Sequence, residues 1–224
     1  MVNLSVSLKR SMFTHRSALI IVDVQNDFCP GGNLGIEKGD LVIEPLNCLA
    51  SLFAARSGMV IATQDWHPIG HASFASSHTG KKSGDTMDLG DVKGQVLWPE
   101  HCIQGTAGAD FHKALDLKPI NLIVRKGFRP SLDSYSAFFE NDRKTSTGLD
   151  GFLKALSIDT LLLGGLATDY CVLYSALDAT ALGYKTIVIK DAVRAVNFPP
   201  GSEEGAFKLL AEAGVVIAES RDVK

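Results

Sequence analysis

No apolar run in this 224-residue chain approaches the ~20 residues that span a bilayer, so the sequence carries no helical membrane-crossing segment. Nor is there an excess of positive charge. The 22 lysines and arginines stand against 25 acids, for a formal net charge of −3, and no basic field for nucleic acid results. Cysteine is sparse. The four, at 29, 48, 102 and 171, form no C-x-x-C pair and no dense framework, and no secretory signal is visible. Reduced thiols in a cytosol-like compartment are therefore expected. No G-x-G-x-x-G follows the first apolar run, which argues against a dinucleotide-binding turn. Internal repeats and a linker are also missing, so one domain is expected over 18–224. Residues 1–17, "MVNLSVSLKRSMFTHRS", hold Lys9, Arg10, Arg16 and four serines but no acid. They read as a loose N-terminal extension, with an organelle transit segment as the alternative to a cytoplasmic protein.

What is present is an alternation of short apolar runs with helical patterns. "ALIIVD" (18–23) reads as a buried strand ending at an acid, followed by a loop over 24–39 rich in glycine. Helical spacing covers 40–56, with Asp40 as its cap and Pro45 early in the helix. Strands follow at 59–63, 120–126, 160–167, 185–191 and 215–218. Helices are expected at 149–157, at 168–183 with Gly183 as the stop, and at 202–214 with Ser202 as cap. Residues 64–118 show little periodicity, and a connection that long is usually functional or mobile. The strands lack polar alternation. The pattern predicts an α/β domain: a six-stranded, mostly parallel sheet with helices on both faces.

In such a sheet, ligands sit outside the carboxyl ends of the strands. Those ends carry Asp23, then Asp65 and His67, then Lys126, then "GGLATDYC" leading into Cys171. Cys171 falls in the first turn of a helix, where the helix dipole and a nearby ammonium such as Lys126 would favour the thiolate. It reads as a nucleophile, against the alternative of a buried structural cysteine. Asp23 can take the thiol proton and return it to a leaving group, or merely cap a loop. In extended chain Asp65 and His67 point the same way and can share one cation, with His101 of "WPEHC" as a third ligand. One carboxylate and two imidazoles suit zinc, iron or manganese better than calcium, and leave open positions. His71 can complete that set, reach the ion through water, or orient a neighbour. Scattered surface histidines are the alternative. Cys102, beside His101, reads as packing.

Together, "ALIIVDVQNDFCPGGNL", "ATQDWHPIGHASFA", "LWPEHCIQGTAGADFH", "VRKG", "DSYSAF" and "GGLATDYCVLYSALDA" resemble the nicotinamidase (pyrazinamidase) branch of the isochorismatase-like cysteine hydrolases. They occur in the family's order and cover most of 18–191. The D-x-H-P segment with "WPEHC" is specific to the metal-bearing branch, whereas the glycine- and lysine-rich stretch 75–97 is less family-like. The resemblance implies a catalytic Asp23–Lys126–Cys171 triad and a divalent ion, zinc foremost with iron or manganese as alternatives, held by Asp65, His67 and His101. It implies an oxyanion hole from the backbone N–H groups of Ala167 and Cys171, with a cis bond at Leu166–Ala167. Phe28, Trp98, Tyr135 and Tyr170 match positions that wall the ring pocket. The implied activity is hydrolysis of nicotinamide, and of pyrazinamide, by a protein free to form homo-oligomers. An amidase of the same superfamily acting on an N-carbamoyl or ureido compound, and a non-catalytic module for a small aromatic amide, are the competing readings.

Overall fold

A computed structural model describes residues 15–223. The N-terminal reading over 1–17 lies outside these residues up to position 14, and Ser17 already belongs to the first strand. That strand, β1 (Ser17–Val22), is buried along its whole length. It forms the centre of a six-stranded sheet with β2 (Met59–Asp65), β5 (Leu122–Lys126), β6 (Thr160–Leu166), β7 (Lys185–Arg194) and β8 (Val216–Ala218), in the order β5-β2-β1-β6-β7-β8. Every pairing in this sheet is parallel. The sheet is apolar on both faces because both faces are covered. Leu19 and Ile21 pack with Leu46, Leu49 and Phe53 of α1 (Ile43–Ala55). Ala18, Ile20 and Val22 face the opposite way. They pack with Leu149 and Leu153 of α2 (Leu149–Ala155), Ala176 and Ala179 of α3 (Leu173–Ala181), and Leu210 of α4 (Ser202–Glu212).

Several local expectations are corrected. Asp40 does not cap α1: a 3-10 turn over Gly39–Val42 leads into the helix, whose N-cap is Val42 without a side-chain bond. Ser202 is the first residue of α4 and not its cap, and its hydroxyl donates instead to Asp169 at 2.5 Å. The helix expected from 168 opens as a π-helical turn, Thr168–Val172, before α3 begins. Within the long connection, β3 (Thr86–Leu89) and β4 (Val92–Val96) form an antiparallel hairpin that periodicity did not reveal. Its one sequence signal is Gly90–Asp91 between two short alternating runs, a two-residue hairpin turn. Among the described residues, no helix is long and apolar enough to cross a membrane.

The strand order reverses at β1 and β6, which opens a crevice at their carboxyl ends. Gly165 makes the close approach there possible. It sits at φ +127°, and a Cβ would fall 2.0 Å from the carbonyl oxygen of Val22, the residue before Asp23. Gly165→Ala is therefore expected to destabilise the protein by roughly 4 kcal/mol, lowering Tm by about 8–16 °C. Calorimetry that finds Tm unchanged would refute this account of the crevice.

Candidate active site

Asp65 ends β2 and Lys126 ends β5, and the two are register partners across adjacent parallel strands. Their side chains consequently meet: Lys126 Nζ donates to Asp65 Oδ1 at 2.5 Å. It also donates to the Ser134 carbonyl at 2.8 Å, lies 2.9 Å from Asp23 Oδ2, and is 3.4 Å from Cys171 Sγ. Lys126 and Asp23 are both 0% exposed. Asp23 adopts a left-handed backbone conformation, φ 48°, which is uncommon for a residue with a side chain and common where geometry serves a site. Thr63 braces it twice, receiving the Asp23 N–H at 3.1 Å and donating its hydroxyl to Oδ1 at 2.6 Å. Oδ2 keeps the ammonium contact without a hydrogen-bond alignment, so a lone pair stays available for a proton.

The electrostatics separate the two carboxylates. Burial raises Asp23 from 3.8 to about 6, with Lys126 opposing and Asp65 adding to the rise. Burial acts on Asp65 as well, but the Lys126 ammonium, the largest opposing cause, holds this group well below the usual carboxylate range. Lys126 is driven up by the two acids despite its burial, and stays charged. Asp65 is thus a permanent anion and Asp23 a group poised to exchange protons, the pattern that assigns a base. Cys171 is shifted the other way from what the helix dipole and Lys126 alone would give. Burial, joined by Asp23 and Asp65, pushes the thiol well above its ordinary value, and Lys126 only partly offsets this. The resting sulfur carries its proton and needs a base. An oxygen of Asp23 lies within 4.8 Å of Sγ.

Asp65, His67 and His101 place one ligand atom each within 4.8 Å of one another. Asp65 Oδ2 is 3.7 Å from His67 Nε2 and 4.0 Å from His101 Nε2. The long loop after β2 brings them together. His67 N–H donates to the Cys102 carbonyl at 3.0 Å, and the Gln104 N–H returns to the His67 carbonyl at 2.9 Å. Gln25 clamps the Asp65 backbone from both sides, accepting its N–H and donating to its carbonyl, each at 2.8 Å. Each ligand imidazole has a backbone carbonyl 2.8 Å from Nδ1, Gly127 for His67 and Pro99 for His101. Such bonds put the proton on Nδ1 and leave the Nε2 lone pairs facing the carboxylate. Around an ion with bonds of about 2.0–2.2 Å, neighbouring ligand atoms sit about 3–3.6 Å apart, so this set fits a divalent ion with a contraction of a few tenths of an ångström. His71 takes another place. Its ring lies 4.4 Å from the His67 ring, Nδ1 is 2.7 Å from Ser73 Oγ, and Nε2 is 3.3 Å from the Leu132 carbonyl. It stands outside the Asp65 set, and with His67 and Asp133 it forms a second group whose ligand atoms lie within 4.8 Å of one another.

The four wall residues expected from the sequence, Phe28, Trp98, Tyr135 and Tyr170, line one pocket together with Asp65, His101, Ala167 and Cys171. The Leu166–Ala167 bond is cis. Sequence reasoning missed Asp133, which also lines this pocket and lies 4.0 Å from His67 Nε2. It missed Thr63 too, although Thr63 stands two residues before Asp65 on the same face of β2. Gln25, Ser134, Leu34 and Val196 carried no signal beyond their neighbourhood.

Comparison with known proteins agrees with this architecture. The isochorismatase domain family matches residues 17–222. A curated nicotinamidase of Acinetobacter baylyi is 48% identical over 92% of this chain and 94% of its own length. The solved Acinetobacter baumannii nicotinamidase/pyrazinamidase superposes with TM-score 0.89 at 48% identity, covering 94% of this chain and 99% of that one. PnC1 from L. infantum, solved in complex with nicotinate, gives 0.80 at 35% identity, covering 98% of each chain. The Pyrococcus horikoshii pyrazinamidase solved with zinc gives 0.75 at 32%, covering 91% and 99%. With the parallel sheet, the crevice and the buried acid, amine and thiol in place, the chain belongs to the isochorismatase-domain family, in the branch of the nicotinamidases and pyrazinamidases.

Proposed function

We propose that the protein is a nicotinamidase, an amide hydrolase that converts nicotinamide to nicotinate and ammonia in NAD salvage, and that it also accepts pyrazinamide. The observation that carries this reading is the buried Lys126 ammonium joining Asp23, Cys171 and the Asp65 side of a three-ligand cluster at one pocket. The relatives named as nicotinamidases, one solved with nicotinate, support it. Asp65, His67 and His101 are the residues that would hold a divalent ion. Such an ion supplies a Lewis-acid anchor for the ring nitrogen of the substrate. Zinc, present in the Pyrococcus horikoshii relative, is the first candidate.

The remaining chemistry belongs to the chain. Phe28, Trp98, Tyr135 and Tyr170 sandwich a planar ring and exclude water, which presents the carboxamide to Cys171. Asp23 takes the Cys171 proton as sulfur attacks the carbonyl carbon. The negative charge that develops on oxygen is met by the backbone N–H groups of Ala167 and Cys171, a type of contact worth ~2.7–4 kcal/mol per donor in acyl transfer. Asp23 then gives its proton to the departing nitrogen, and ammonia leaves a thioester. Water hydrolyses the thioester with Asp23 as base, and nicotinate departs as the thiol is restored. Lys126 keeps its proton throughout and holds Asp23 and sulfur in register.

Ammonia release from nicotinamide, with metal measured on the same sample, tests the reading. Cys171→Ala should lower kcat by roughly 10⁴-fold or more while metal content stays intact; joint loss of metal would point to misfolding. His67→Ala should lose metal and raise KM, and full metal retention would discard this ligand set. Gly127→Ala tests the carbonyl behind His67. Gly127 has φ +63°, and its Cβ would fall 2.5 Å from His67 Cε1. Metal affinity should drop about 10–100-fold; an unchanged affinity would remove the carbonyl from the account. The base must be ionised to act, and its value is raised from 3.8 to about 6. Activity should therefore fall as pH drops through about 6, two units above the limb of an ordinary aspartate. A kcat/KM profile flat down to pH 4.5 would rule Asp23 out as the titrating base.

A further inference from the structure

Gln95 is the one fully buried residue of the β3–β4 hairpin, 3% exposed on a strand whose other residues reach solvent. Its carboxamide nitrogen lies 2.9 Å from Tyr135 Oη, 3.0 Å from Asp133 Oδ2 and 3.0 Å from the Val96 carbonyl, so its two N–H groups are shared among three acceptors. Its oxygen accepts from Asn141 Nδ2 at 2.8 Å. The amide orientation is fixed by the backbone, because the Val96 carbonyl only accepts and so faces the nitrogen. Asn141 closes the ring by accepting the Tyr135 backbone N–H at 2.9 Å. Tyr135 is thereby referenced to one amide pair at both its backbone and its hydroxyl. The same hydroxyl accepts the Trp98 indole N–H at 3.1 Å. Tyr170 stands edge-on to both rings, 4.8 Å from Trp98 and 5.3 Å from Tyr135.

We propose that Gln95 is a positioning residue that sets the width of the aromatic slot, fixing Tyr135 and through it Trp98 while holding Asp133 at the pocket wall. The proposal rests on the nicotinamidase reading, and it gives the hairpin a role in selecting flat heteroaromatic amides. Tyr135 and Trp98 both line the pocket, and Gln95 is the second donor on the hydroxyl that joins them. Without that donor the phenol ring is tethered at its tip by the indole alone, and the two walls can drift together. Asp133 Oδ2 would at the same time lose its Gln95 donor. The catalytic groups stay untouched, because Gln95 bonds to none of Asp23, Lys126 and Cys171.

The experiment compares Gln95→Leu and Gln95→Glu with wild type, reading kcat and KM for nicotinamide separately. Metal content, Tm and the affinity for nicotinate, followed by tryptophan emission, are measured in parallel. Gln95→Leu should raise KM and weaken nicotinate about tenfold while kcat stays within about threefold. Metal content and Tm should hold. Gln95→Glu matches the native shape but loses the donor and sets a carboxylate against Asp133, so its KM should exceed that of Gln95→Leu. A space-filling role predicts the opposite order, and Gln95→Glu behaving as wild type would overturn the proposal. So would unchanged KM and nicotinate affinity in folded Gln95→Leu, or a joint fall of kcat, metal content and Tm. Wild-type protein that releases no ammonia overturns the nicotinamidase reading and this inference with it. Wild-type turnover with unaltered variants overturns this inference alone.

Discussion

A single ammonium, shut away from solvent, organises the active end of this molecule. Lys126 is held by two carboxylates and a backbone carbonyl and touches the sulfur. A buried charge is stable only when paired and hydrogen-bonded, and removing one partner leaves the others stranded. The arrangement therefore fixes four groups at once. It also makes two chemically identical side chains unequal. Asp65, with the closest contact to Lys126 and two imidazoles nearby, stays ionised and suits a cation. Asp23, deeper and less compensated, is left able to gain and lose a proton.

The fold provides this without a specialised scaffold. Parallel strands end together, so Asp23, Asp65 and Lys126 arrive at one edge, and register pairs the last two directly. The crevice beside β1 receives Cys171 from the π-helical turn after β6. What the sheet does not provide comes from the connection between β2 and β5. His101 is tied to His67 through backbone bonds at Cys102 and Gln104, and Trp98 is carried on the same segment. Phe74 N–H and Trp98 N–H bonds to residues 71 and 73 lock that segment against the first histidines.

Much of this was legible in the sequence, for physical reasons that can be named. Buried strands read as apolar runs, and four of them led to Asp23, Asp65, Lys126 and Cys171. Spacing by two placed Asp65 and His67 on one side of the chain. The same rule applied backwards would have found Thr63. The hairpin escaped because its stabilising partners are turn residues and charged pairs such as Lys93–Asp88, which carry no apolar period. Caps were misread because Asp40 and Ser202 have the right residue type, yet tertiary partners take precedence over local bonding; the Ser202 hydroxyl goes to Asp169. The direction of the thiol's shift was hidden for a related reason. Helix position and a lysine can be seen in a sequence, but full burial beside two carboxylates cannot, and burial decides the sign.

Tyr170 has a further connection. Its hydroxyl donates to the Phe198 carbonyl at 2.6 Å, and the Phe198 ring lies 6.2 Å from Trp98 and against Gly84. Asp169, its neighbour, accepts the N–H groups of Val196 and Asn197. The loop leaving β7 is thus fastened to the residues flanking Cys171 on one side and leans on the hairpin approach on the other. Acid, amine and thiol sit on the rigid sheet edge, while the rim is assembled from three surface segments that meet over them. Such a division lets evolution remodel the entrance, and with it the range of amides admitted, while the reacting groups beneath keep their places.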